Sequence, residues 1–194
     1  MNFEAAKIFI EQKLKGEILL KFEYHNIIHM MDVYQAAIRI AESESIENDD
    51  LILLLTAVLF HDSGFILGNE NHEVLSCEIA EMNLPLFGYD AVQIRRIKGL
   101  IMATKIPQDP QNLLEEVICD ADLDYLGRSD FWKIGNKLLN ELRNCGAALT
   151  EYEWNEKQLL FLEKHSYFTK SSKDLRSGSK ETNLKELKIR LASP

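Results

Sequence analysis

Hydrophobic and polar positions recur with a helical period along almost the whole chain. Phe3, Ala6, Ile10 and Leu14 share one helical face and predict a first helix over about 3–21. Asn26 is placed to cap a second helix that runs to about Ser43. Asn48-Asp49-Asp50 precede LILLLTAVLF (51–60), a helix apolar on every side that ends near His61, with Gly64 as its stop. Further periodic segments predict helices near 71–82, 90–104, 112–127, 130–145 and 150–165, the last opening on a capping box from Thr150 to Glu153. The polar stretch SSKDLRSGSKETN (171–183) reads as a surface loop, followed by a short helix over 183–191. Neither strand alternation nor an internal repeat is visible. The expected architecture is a single all-α helical domain over 1–194 with the apolar third helix at its centre.

Composition narrows the class. Hydrophobic residues make up 46% and charged residues 27%, as in ordinary soluble globular proteins. A chain of 194 residues buries enough surface to need neither a disulfide nor a structural metal. The net charge of −9 argues against a nucleic-acid polymer as partner, because phosphate backbones require clustered Lys and Arg. A small phosphorylated substrate remains compatible, since a metal ion meets its charge within a pocket. Cys77, Cys119 and Cys145 are odd in number, widely spaced and free of CxxC, so they form neither a disulfide framework nor a thiolate zinc site. The first residues lack a signal-peptide core, and the longest apolar run is far too short for a bilayer. A cytoplasmic protein without a membrane partner is expected. Oligomeric state leaves no trace in the sequence.

Polar residues on apolar faces carry the chemistry, because a buried polar group needs a partner. His61-Asp62 follow the most apolar helix directly. They are either a solvated helix end or an inward pair. In VICDADLDYLG (117–127), Glu116, Asp120 and Asp124 form one polar row that reads as a solvated face. Asp122 interrupts the apolar row of Ile118 and Leu126 and points at the core. His29 interrupts the stripe of Val33, Ala36, Ala37 and Ile40 in the same way. His25 lies one turn earlier, at the rim of any cavity there, and Asp32 is placed to orient an imidazole. His29, His61, Asp62 and Asp122 together offer two imidazoles and two carboxylates. That set suits one divalent ion of the Mn, Fe, Co, Ni, Zn or Mg range, with open positions for water, and open sites of this kind are hydrolytic.

This pattern resembles the H…HD…D signature of the HD-domain metal-dependent phosphohydrolases. TAVLFHDSG runs into the HD pair as in that family, and HEVLS (72–76), LIMATK (100–105) and DADLDYLG (120–127) are similar to words of its small bacterial members. The resemblance covers about 25–130. It implies an all-helical bundle of the HD type, His29, His61, Asp62 and Asp122 as ligands of a divalent metal ion, and cleavage of a phosphate ester or anhydride in a small, nucleotide-like substrate. YHNIIHMMDV (24–33) further resembles the YHNxxHxxDV motif of helical cyclic-nucleotide phosphodiesterases. That likeness makes His25 the general acid and His29 a ligand. The second-metal histidine and glutamine-bearing pocket of those enzymes have no counterpart, so cyclic-nucleotide cleavage is not favoured.

Other departures shape the expected site. Only His72 lies between the HD pair and Asp122, which favours one ion over two. Phe65 stands where some HD nucleotidases carry a glutamate, leaving Glu70 and Glu73 as candidates to orient water. Asp62 is expected to help deprotonate the attacking water and His25 to protonate the leaving group. Lys105, then His72, then Arg128 are the candidates for holding the substrate's phosphate oxygens. His165 reads first as a packed histidine and second as a pocket-lining one. The rival readings are a non-catalytic, metal-containing regulatory domain and a di-iron oxygenase on the same scaffold. The oxygenase needs about six ligands where the sequence supplies four or five.

Overall fold

Asn26 shows how local sequence sets the frame. In the computed structural model its side chain accepts the backbone N–H groups of Ile28 and His29 at 2.8 and 3.4 Å and donates to the carbonyls of Phe22 and Glu23. Helix α2 (Ile27–Ser43) therefore starts one residue after the cap, which fixes the rotation of His29 about the helix axis. The structure describes residues 1–17 and 22–192; the end of the predicted first helix, 18–21, lies outside them.

Helix α1 (Phe3–Glu17) and α2 are followed by α3 (Asn48–Phe60). Every residue of α3 from Leu53 to Phe60 is buried, so it forms the centre expected from its all-apolar sequence. A 3-10 turn over Ser63–Ile66 leads to α4 (His72–Asn83), and α5 (Ala91–Ala103) opens on a capping box of Asp90 and Gln93. Helix α6 (Leu113–Asp122) ends at Asp122, and a further 3-10 turn covers Asp124–Gly127. These elements share one hydrophobic core around α3. A second, smaller core gathers Tyr24, Leu126 and Phe131 with Leu162 and Leu187. Its helices are α7 (Phe131–Asn144), α8 (Glu151–Lys164) and α9 (Lys170–Ala192). The Thr150–Glu153 capping box of α8 forms as its sequence predicts. The fold is all-α, and no strand occurs among the described residues.

Two expectations need correction here. Gly64 does not stop α3, which ends at Phe60. It lets two backbones touch: its N–H donates to Ser76 Oγ at 2.8 Å, and a Cβ there would lie 2.0 Å from the His72 carbonyl oxygen. The stretch 171–183 is not a loop but lies wholly within α9. Ser and Gly are weak helix formers. The helix is held instead by an inward row of polar anchors. Thr169 Oγ1 caps its first turn, accepting the Ser172 N–H at 3.2 Å. Arg176 donates to Asp124 at 2.8 and 3.0 Å, and Asn183 donates to the Leu126 and Arg128 carbonyls at 2.9 and 3.2 Å. Trp132 of α7 adds a further tie, with Arg190 3.6 Å above its ring and its Nε1 donating to Glu186.

A candidate metal centre

The α3 terminus, the start of α2 and the end of α6 converge on one point. His29 Nε2 lies 3.2 Å from Asp122 Oδ1 and 3.4 Å from Asp62 Oδ2, and His61 Nε2 lies 3.5 and 3.2 Å from the same two oxygens. One ligand atom from each of His29, His61 and Asp122 falls within 4.8 Å of the others. The Nδ1 of His61 bonds the Val58 carbonyl at 2.7 Å. A carbonyl only accepts, so Nδ1 carries a proton; burial would lower this imidazole, but Asp62 and Asp122 raise it well above its ordinary value, and a metal ion takes the Nε2 lone pair in exchange for the second proton. The Nε2 atoms of both histidines are buried without a hydrogen-bond partner.

Charge reinforces the geometry. Burial alone would raise the Asp122 carboxyl, but His29 and His61 beside it hold it at about 2. Burial also opposes ionisation of Asp62, and His61 and His29 overcome it, keeping the carboxyl well below the usual range. Burial would lower the His29 imidazole, yet Asp122 and Asp62 push it up to about 9. Two half-buried carboxylates thus demand positive charge, which protons on the imidazoles supply until a cation displaces them and takes the Nε2 lone pairs. A divalent ion with nitrogen and oxygen ligands does both, so the residues present fit a metal.

Beside this cluster lies a cavity of about 290 Å³. His25 lines it, with its ring stacked 4.0 Å from that of Phe65, and Phe65 stacks in turn on His72 at 4.3 Å. Glu141 of α7 grips His25 from behind, pairing its Oε1 with Nδ1 while Oε2 accepts the backbone N–H groups of Tyr24 and His25 at 2.7 and 2.9 Å. Burial opposes the charge on Glu141, but His25 more than offsets this and the carboxyl stays below its usual range. The free nitrogen of His25 is therefore Nε2. Trp154, Lys157 and Gln158 of α8 line the cavity as well, and the Trp154 indole N–H is buried without a partner.

Residues 26–125 match the model of the HD domain. The chain belongs to the HD domain family. It is also similar to an uncharacterized protein of Clostridium beijerinckii, 36% identical over 97 residues. That match takes in 48% of this chain and 61% of the relative. The crystal structure of a predicted HD superfamily hydrolase from an uncultured Thermotogales bacterium shares the fold. Its TM-score is 0.63 at 18% identity, over 97% of this chain and 91% of that one. No helix among the described residues is long and apolar enough to cross a membrane.

The HD-type set His29, His61, Asp62 and Asp122 is brought together, with His25 and His72 beside it. His72 Nε2 lies 3.5 Å from Asp62 Oδ1. Of the two glutamates, Glu73 is buried at the cavity and Glu70 is exposed. Four expectations are overturned. Lys105 is exposed and does not line the cavity, because α5 ends at Ala103 and Thr104 turns inward in its place. Arg128 is neutralised by Asp32 at 2.7 and 2.8 Å and by Asp130 at 2.6 and 2.9 Å, away from the cavity. Asp32 consequently orients Arg128 and not an imidazole. Asp120 and Asp124 do not face water. Asp120 accepts from Phe168 N, Thr169 N and Thr169 Oγ1 at 2.8, 2.8 and 2.7 Å, and Asp124 accepts from Arg39 at 2.8 Å as well as from Arg176.

Lys157 in the cavity wall and Glu141 behind His25 escaped the sequence reading. Glu141 continues the apolar row Phe131, Ile134, Leu138, so the test that singled out Asp122 also flags Glu141. Lys157 carries no such signal, because lysine on an exposed helix face is ordinary.

Proposed function

We propose that this protein is a metal-dependent phosphohydrolase that cleaves an ester or anhydride of a small, nucleotide-like phosphate. The observation that carries the reading is the pair of buried, unpartnered imidazole nitrogens of His29 and His61 facing Asp62 and Asp122. These four residues would hold the ion. Once bound, a divalent ion there supplies Lewis-acid polarisation of the phosphoryl group and a more acidic water.

The remaining steps belong to the chain. Asp62 lies beside the cluster and takes the proton of the attacking water. His25, fixed through Nδ1 by Glu141, offers its Nε2 proton to the leaving oxygen. Lys157, the lysine that lines the cavity, meets the phosphate oxygens in the role expected of Lys105 and Arg128, and His72 assists from the floor. The aromatic walls of Tyr125, Phe131 and Trp154 suit a planar group and exclude water. One ion is favoured over two because His72 is the only histidine between the HD pair and Asp122.

Elemental analysis after incubation with Mn, Fe, Co, Ni, Zn and Mg, followed by a panel of phosphate esters and nucleotides, tests this reading. About one ion per chain, lost in Asp122→Ala and kept in Lys105→Ala, together with metal-dependent phosphate release, is the expected result. A wild type that binds no metal, or a loaded protein inert on every ester, sinks it.

A further inference from the structure

A second cleft, of about 540 Å³, adjoins the cavity of the metal centre. Ile106, Leu123, Lys157 and Phe161 border both, so the two share a wall. His165 lines the second cleft, and its side chain is a chemical oddity. The residue is 9% exposed, and neither ring nitrogen has a hydrogen-bond partner. Phe161 stacks 6.1 Å from its ring and Tyr167 meets it edge-on at 4.8 Å, so apolar faces surround a group that needs polar contacts. Burial, with Lys180 nearby, lowers the imidazole to about 4, and the neutral ring therefore presents one donor and one acceptor.

Charge completes the picture. The formally charged side chains on this cleft are Lys157 and Lys164. No carboxylate lines it, in a chain whose net charge is −9. Gln108, His165 and Ser166 are its neutral polar lining, and the rest of the wall is apolar. We propose that this cleft binds a small amphipathic organic anion, with its apolar body against Leu160, Phe161 and Phe168, its anionic end at Lys164, and a polar group at His165. Lys157 stands between the two recesses. The anion is either the far end of the substrate whose phosphate sits at the metal centre, which rests on the function proposed above, or a separate small molecule.

The probe is 2-naphthalenesulfonate, which has no scissile phosphate, titrated into the metal-loaded full-length protein. Calorimetry reads affinity, and the His165 ring resonances read location. Saturable binding with a shift of those resonances is expected. Lys164→Glu, at an exposed position, weakens it about tenfold. Gln158→Ala, which alters only the metal cavity, leaves it unchanged. Absence of saturable binding overturns the proposal, as does binding that survives Lys164→Glu but is lost in Gln158→Ala. Because the probe is not hydrolysed, this arm stands or falls independently of the hydrolase reading. 8-(Phosphonooxy)octanoate, whose far end is a carboxylate, and methyl phosphate then separate the two sources. A KM raised by Lys164→Glu for the octanoate ester alone identifies the substrate's far end, and unchanged KM values in that variant, beside its weakened sulfonate binding, identify a separate ligand.

Discussion

Glu141 holds His25 across 116 residues of sequence: one carboxylate oxygen pairs with the imidazole and the other accepts the backbone N–H groups that lead into it. The carboxylate thus sets the position of the ring and selects which nitrogen faces the cavity. His25→Ala should lower kcat by roughly a hundredfold or more without loss of bound metal. The defect should shrink for p-nitrophenyl esters, whose leaving group needs no proton. Glu141→Gln keeps an acceptor for the backbone but loses the charge, and a loss of about tenfold with the same leaving-group dependence is expected. Equal losses on good and poor leaving groups would remove His25 from the acid role.

Removing the ion should destabilise the fold as well as stop turnover. Two half-buried carboxylates are then left with only the protonated imidazoles to meet their charge. Chelation should therefore lower Tm by several degrees, as expected for loss of a ligand bound only by the folded state. Asp122→Ala should show the low Tm with or without added metal. A chelated wild type that melts at the temperature of the loaded protein would contradict the site.

His165 makes stability depend on pH. Burial and then Lys180 hold its folded-state pKa at about 4, below its ordinary value of 6.5. The unfolded chain therefore binds a proton that the folded chain refuses between those two values. Stability is complete above about pH 6.5 and falls as pH drops toward about 4, by roughly 3 kcal/mol. Denaturant melts of wild type and His165→Leu across this range should diverge, with the slope shallower in the variant. Parallel curves would show that the histidine is accessible to protons when folded.

Asp120→Ala should release the C-terminal helix without emptying the metal site. The substitution leaves Phe168 N, Thr169 N and Thr169 Oγ1 without their shared acceptor, at about 1–3 kcal/mol for each buried group. Hydrogen exchange in α9 should quicken well before that in α3. Metal content should persist, since Asp120 is on the far side of α6 from the cluster.

Gly64→Ala tests the seating of His72. The added methyl would sit 2.0 Å from a backbone oxygen, which no rotamer change relieves. Separation of α4 from the turn over Ser63–Ile66, with a loss of a few kcal/mol, is expected from overpacking of this kind. Phosphate affinity should fall with it. A variant with native Tm and KM would show that α4 yields freely.

What the sequence disclosed and what it hid follow one physical rule. His29, His61 and Asp122 were legible because each breaks an otherwise apolar row, and Asn26 and Thr150 because capping is a local matter. Asp120 and Asp124 looked solvated because their hydrogen-bond partners lie 48 and more residues away, in the C-terminal segment and on α2 and α9. Helix α9 has a regular inward row of Ser172, Arg176, Asn183 and Leu187, but mostly polar residues carry it, so hydrophobicity conceals its period. Arg128 and Lys105 lie outside the cavity lining for a related reason. Whether a surface cation is free depends on which carboxylates fold back to meet it.

The two tryptophans of the chain report on different events. Trp154 stands in the cavity wall with its indole N–H unsatisfied, so anything that enters and accepts that proton changes its emission. Trp132 lies under Arg190 with its own N–H on Glu186, so its signal follows α9. Trp132→Phe leaves a protein whose intrinsic fluorescence watches the chamber alone, and Trp154→Phe leaves one that watches the clamp. Occupancy of the chamber and docking of the C-terminal helix can then be timed separately in the same stopped-flow experiment, without any added label.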